Sequence, residues 1–303
     1  MCPKKHMMQV SPNVIRGIFY MCLASFFFSF MGGFAKLLGK SYSPLHITFF
    51  RNTIGLIPLL YSLYRRPPRK DNPKPFLLAF RGIAGTFVLF TLFYNLTNLP
   101  LGEAVTYVQA SAFFIAIFSY WFLHEKLSKK GWLAVLGGFV GILLITGYKG
   151  SFEKFHVSGI LNSLLNGLAY TSVRELKKYY DTRVIVLSFL AWGSLIPLLC
   201  MYTPLTQIPG IQAIYFSLPD VQITDVLLLI LLALAALYGQ IFMTKAYGEA
   251  NAAILGVIGY SNIVFAVALG VVLGDNLPGI LESLGMLVVI CSGIVITREK
   301  PAH

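Results

Sequence analysis

Glu103, Tyr107 and Ser111 stand at i, i+4 and i+8, so a helix through them carries a carboxyl, a phenol and a hydroxyl along one stripe. Such a stripe suits a polar cavity wall, with Glu103 pairing a cation or taking up a proton. Glu103 also opens its segment, where an acid meets the positive end of the helix dipole and acts as a cap. Both roles stay open, and they can coexist. Asn162, Asn166 and Tyr170 repeat the spacing on a later segment. Two amides and a phenol either bond helix to helix, at about 0.5–1 kcal/mol per bond, or line a cavity. Leu161, Leu164 and Leu165 would then supply the lipid face. Arg51 lies about two turns inside an apolar run, where a charge must face protein or water. It either binds an anionic group such as a carboxylate, or serves structure by snorkelling or bonding helix-end carbonyls. Tyr260 and Ser261 lie in another apolar run. Tyr260 is a candidate for substrate contact by ring stacking or its hydroxyl, against the alternative of a packed core tyrosine.

The elements that hold these residues follow from composition. The chain has 303 residues, 56% hydrophobic and 12% charged, against about a quarter charged in water-soluble domains. Its apolar residues fall in runs of about 20, the length that crosses a bilayer as a helix. Ten spans are predicted, at 14–38, 44–64, 76–97, 102–122, 129–148, 157–175, 184–202, 225–245, 251–273 and 277–297. The first run is too long for a signal-peptide core and reads as an uncleaved span. The fold class is therefore an all-α polytopic membrane protein.

Net charge is +12, but its distribution argues against nucleic acid. Lys4, Lys5, Arg16, Arg65, Arg66, Arg69, Lys70, Lys74, Lys126, Lys129, Lys130, Arg174, Lys177, Lys178, Arg183, Lys245, Arg298 and Lys300 all fall on one side of the predicted topology. Only Lys36, Lys40, Lys149 and Lys154 fall on the other. By the positive-inside rule both termini are cytoplasmic, and the basic loops face anionic lipid head groups. Lys36 is expected to snorkel outward and Arg81 inward. Trp121 and Trp132 fit an aromatic belt.

The segment opening at Gly102-Glu103-Ala104 has a second copy opening at Gly248-Glu249-Ala250. Ser111 and Ser261, Glu125 and Asp275, and Leu127 and Leu277 share one offset, whereas the openings need about one extra helical turn in the second copy. Five spans separate the copies, an odd number, so the halves must run oppositely through the membrane. That is the inverted-repeat design of many secondary transporters. The expected organisation is a tail at 1–13, a five-helix repeat at 14–148, a connector at 149–156, an inverted repeat at 157–297 and a tail at 298–303. Glu125 and Asp275 end equivalent helices on opposite sides and read as structural acids bonding backbone or basic groups, ahead of gate or proton residues.

Several segments resemble the drug/metabolite transporter superfamily, in particular its EamA-type ten-helix members. They are PLHITFFRNTIGLIPLL (Pro44 to Leu60), RGIAGTFVLFTLFYNLTNLPLGEA (Arg81 to Ala104), SVRELKKYYDTRVIVLSF (Ser172 to Phe189), AYGEANAAILGVIGY (Ala246 to Tyr260) and the closing ITRE (Ile296 to Glu299). The sub-pattern is most similar to the branch with riboflavin and S-adenosylmethionine transporters. The resemblance implies a central cavity lined by the third, fourth, sixth, eighth and ninth helices with part of the first. Tyr94 and Asn95, within the second segment, are further candidate substrate-binding residues. Two departures stand out. Ser111 and Ser261 replace frequent prolines, which implies straighter fourth and ninth helices, and Asp275 replaces a common glutamate.

No Walker loop, nucleophile elbow or H-E-x-x-H motif occurs, and the five histidines are widely spaced. Four scattered cysteines form no C-x-x-C pair. Neither a cofactor nor a metal site is expected. The reading is a secondary transporter, not an enzyme, that moves a small polar or zwitterionic metabolite across the cytoplasmic membrane of a bacterium. Candidate substrates are S-adenosylmethionine, amino acids and riboflavin-like compounds. The alternatives, a lipid-modifying membrane enzyme or a channel, lack a converging catalytic constellation or a visible filter. A homodimer is left open.

Overall fold

The computed structural model describes residues 12–68, 74–123, 128–145, 154–176, 178–202, 222–249 and 258–298. Among them are ten helices, and no strand occurs. They are α1 (Pro12–Leu38), α2 (Pro44–Arg65), α3 (Pro75–Asn98), α4 (Leu101–Leu123), α5 (Lys129–Ile145), α6 (Lys154–Leu176), α7 (Thr182–Tyr202), α8 (Ile223–Glu249), α9 (Ser261–Val272) and α10 (Ile280–Arg298). Five stretches, in α1, α3, α4, α7 and α8, are long and apolar enough to cross a membrane by length and composition. A helix is the natural state there, because it satisfies every backbone donor and acceptor internally.

The boundaries have local causes. Ser43 caps α2 in a reciprocal box with His46, and Pro44 and Pro75 occupy first turns, where a missing N–H costs nothing. Pro100 separates α3 from α4. No such residue interrupts α8, which runs through Gly248 to Glu249. The two Gly-Glu-Ala openings are therefore not equivalent. Glu103 lies in the first turn of α4, whereas Glu249 is the last residue of α8. Glu125 lies outside the described residues.

The ninth span also differs from expectation. Residues 258–259 are helical, Tyr260 forms a turn, and α9 starts only at Ser261. Ser261 therefore follows a single turn residue, Tyr260, whose dihedrals (φ −65°, ψ −15°) stay in the α region. Beside this turn, the Gly259 carbonyl accepts a hydrogen bond from Nε2 of Gln109 on α4 at 2.6 Å. A polar side chain from a neighbouring helix thus competes for a carbonyl beside the break.

Packing between helices follows a regular scheme. α1 packs on α8 and α6 on α3; α4 packs on α6 and α9 on α1; α3 packs on α7 and α8 on α2. α2 meets α7, α4 meets α9, and α5 meets α10. Glycines set two of these crossings. A Cβ on Gly55 would touch Leu190, three residues before Gly193, and a Cβ on Gly193 would collide with Asn52, three residues before Gly55. On the other pair, Gly141 faces Val289, four residues beyond Gly285, and Gly285 faces Ile145, four beyond Gly141. A Cβ on Gly141 would also fall 2.9 Å from the Gly285 carbonyl, so side chains are excluded and the backbones approach closely.

Candidate functional site

The stripe on α4 is buried. Glu103, Tyr107 and Ser111 are each under one tenth exposed. Tyr107 lies flat against Gly159 of α6, where no Cβ would fit, and its Oη is 3.0 Å from Nδ1 of His156. Ser163 Oγ donates to the Tyr107 carbonyl at 2.5 Å. The stripe is thus held against the first turns of α6 by an aromatic ring on a glycine, a hydroxyl and an imidazole.

Glu103 and His156 line a cavity of about 480 Å³ at the end of the bundle where α3 ends and α4 begins. That volume falls in the range of small-molecule sites. Asp275 and Glu282 also line it, so three carboxylates face one space. Asp275 is engaged: its carboxylate accepts Lys36 Nζ and, at 2.8 Å, the Leu101 N–H, while its own N–H donates to Gly270 O. It therefore caps α4 and ties α1, α4 and α9 together, with Lys36 also donating to Leu99 O at 3.0 Å. These two acceptors hold Lys36 at the end of α1.

Deeper along α4, Gln109 reaches the break before α9 at Gly259, and Ser29 of α1 donates to Asn262 Oδ1 at 2.6 Å. Gln109 is eight residues past Leu101, about 12 Å along the axis and near mid-membrane for a span of about 30 Å. Tyr260, at the turn, is buried; its ring lies over Gly293 of α10, and its hydroxyl meets no hydrogen-bond acceptor or donor. The Ser261 hydroxyl is likewise unsatisfied.

The remaining candidates spread over other places. Asn166 is buried on α6. Asn162 bonds Val88 O and Thr91 Oγ1 of α3, at 2.8 and 2.9 Å, and so joins helices. Tyr94 packs against Phe155 with the rings tilted by 40° and their centroids 5.7 Å apart. Asn95 is 1% exposed with neither amide atom hydrogen-bonded. Tyr170 is 43% exposed on α6, and Arg51 is partly buried on α2. Arg81 does not extend to the inner surface. Its guanidinium lies over Phe189 of α7, 4.9 Å from the ring centroid, because Gly85 leaves room for it to run back along α3. Gln109, Asn262, Ser29 and His156 are not singled out by the sequence, since none belongs to a three-residue polar stripe like 103/107/111. No group of three metal-ligating side chains occurs among the described residues.

A helical membrane bundle with a solvent-reaching, carboxylate-lined cavity has the form of a solute transporter. The comparisons place it. Residues 15–147 match the model of the EamA-like transporter family. An uncharacterized transporter of Helicobacter pylori is 30% identical over 94% of this chain and 95% of its own length. The pseudopaline exporter CntI of Pseudomonas aeruginosa is 28% identical over 94% and 96%. Mouse solute carrier family 35 member G1 is 26% identical over 86% and 73%. A solved crystal structure superposes with a TM-score of 0.59 at 21% identity, covering 93% of this chain and 95% of that one, which fixes the fold alone. The chain belongs to the EamA-like transporter family. It is a multi-pass membrane transporter, not an enzyme.

Proposed function

We propose that the protein is a secondary transporter that moves a small polar or zwitterionic metabolite by alternating access across the cytoplasmic membrane of a bacterium. The observation that carries this reading is the cavity at the start of α4, with Glu103 and His156 in its wall and Tyr107 bonded to His156. Along the same helix lies the interrupted α9 at Gly259 and Tyr260. Discontinuous helices near the midplane are where secondary transporters build their sites. In this reading Glu103 pairs the cationic group of the substrate or carries a proton, and Tyr107, Ser111, Asn166, Tyr260 and Ser261 continue the polar path. Tyr94 and Asn95 flank its α3 side. S-adenosylmethionine, amino acids and riboflavin-like compounds remain the candidate substrates. One relative is named an exporter, so export is the direction to test first.

The two halves, 14–148 and 157–297, are read as inverted repeats with both termini in the cytoplasm. Shifting helix numbers by five turns the α1–α8 contact into α6–α3, α4–α6 into α9–α1, and α3–α7 into α8–α2. The reciprocal glycine contacts of α2 with α7, and of α5 with α10, are what a two-fold axis between the halves requires. The identical runs Leu56-Ile57-Pro58-Leu59-Leu60 and Leu195-Ile196-Pro197-Leu198-Leu199 sit in equivalent helices and add to this.

A thermal-shift screen of the purified protein against amino acids, nucleosides, cofactors and S-adenosylmethionine tests the reading. A compound that raises Tm should lose its effect in Glu103→Gln and Tyr260→Ala proteins that still fold. Ligand binding unchanged in both variants would remove this path.

A further inference from the structure

Two arginines lie inside the bundle with no carboxylate partner among the described residues. Arg51 of α2 and Arg81 of α3 both place their guanidinium carbons over the Phe189 ring of α7, at 5.7 and 4.9 Å from its centroid. The described ion pairs join Lys36 to Asp275, Lys74 and Lys178 to Glu175, and Arg183 to Asp181, and none includes either arginine. Arg51 Nη1 donates to Asn52 Oδ1 at 2.9 Å. Beyond that, Arg51 Nε, Arg81 Nε, Arg81 Nη1 and Asn52 Nδ2 are buried and reach no acceptor.

Buried polar groups are ordinarily satisfied, and every group left over here is a donor. Two cations in an apolar bundle repel each other and lose hydration, so their persistence calls for an anion. Glycine makes the space. A Cβ on Gly85 would strike Arg81 Nη1, and one on Gly193 would strike Asn52 Nδ2. Planar guanidinium forks match the two oxygens of a carboxylate or phosphate, and an aromatic face beneath them holds the fork in place.

We infer that Arg51 and Arg81, seated on Phe189 and flanked by Asn52, form an oxyanion site that takes the carboxylate or phosphate of a small solute or of an anionic lipid. It is separate from the α4 stripe and does not depend on Glu103. A zwitterionic solute that met both places would present opposite charges to them.

The test uses the full chain. Tm is followed in detergent while sodium succinate or inorganic phosphate replaces sodium chloride at constant ionic strength. A parallel arm compares phosphatidylglycerol with phosphatidylcholine nanodiscs. A saturable rise with succinate or phosphate identifies a soluble oxyanion, and a rise confined to phosphatidylglycerol identifies a lipid. In either case Arg51→Gln and Arg81→Gln should each weaken the effect by about tenfold or more, as loss of a charge-assisted bond implies. Lys129→Gln, an exposed control, should leave it unchanged. If the glutamine variants do not fold, Arg51→Lys and Arg81→Lys keep the charge but lose the fork, and a weaker response is again expected. Tm insensitive to all three anions, or a response that survives the arginine substitutions, overturns the site.

Discussion

Gln109 shows what one side chain does to a neighbouring helix. Its amide donates to the Gly259 carbonyl at 2.6 Å, beside the turn that starts α9 late. Replacing it with leucine removes the donor and leaves a carbonyl short of a partner beside a buried turn. Gln109→Leu should lower stability by about 1–3 kcal/mol, read as a fall in Tm. Unchanged Tm would mean that the contact does not hold the break. Gln109 could not be picked out from the sequence, since it lies two residues past Tyr107 and off the 103/107/111 stripe. The stripe itself was legible, because three polar residues at period four on an apolar helix cannot all face lipid. Arg81 was misjudged for a related reason. Its position near the start of α3 suggested snorkelling, whereas the glycine one turn on lets the side chain run inward.

At the scale of elements, the end of α2 is fastened to the start of α7. Arg183 bonds both oxygens of Asp181 and donates Nη1 to the carbonyls of Ser62 and Arg66, at 3.2 and 2.9 Å. The side chain of Arg183, and then its backbone N–H, hold the Asp181 carboxyl below the usual carboxylate range. A depressed carboxyl adds stability above its unfolded value of about 3.9 and loses it as pH falls through the folded value. Asp181→Asn should therefore lower Tm at pH 7, and the difference from wild type should shrink as pH drops below about 4. A gap that stays constant down to pH 3 would show that the ion pair contributes nothing. Helix boundaries were largely legible from prolines and apolar runs. The exception, an α8 that runs on to Glu249, has no local signal to record it.

At the scale of the whole molecule, the proposed inversion rests on the oddness of five spans between the repeated segments and on the reciprocal glycine contacts. The identical pentapeptides of α2 and α7 carried the same information but sit off the segments that first drew attention. The positive-inside bias puts Lys40 and Arg66 on opposite faces. In a background without native cysteines, a cysteine at 40 should react with an impermeant maleimide from outside intact cells. One at 66 should react only after lysis, and labelling of both from outside would break the topology.

The central claim is that this bundle carries a solute through the cavity that contains Glu103. Its most direct test is counterflow in liposomes holding the purified protein, using whichever metabolite raises Tm. The account predicts saturable exchange of labelled for unlabelled solute, lost in Glu103→Gln protein of unchanged Tm. Flux that rises linearly without saturation, or saturable exchange that Glu103→Gln leaves intact, would contradict it.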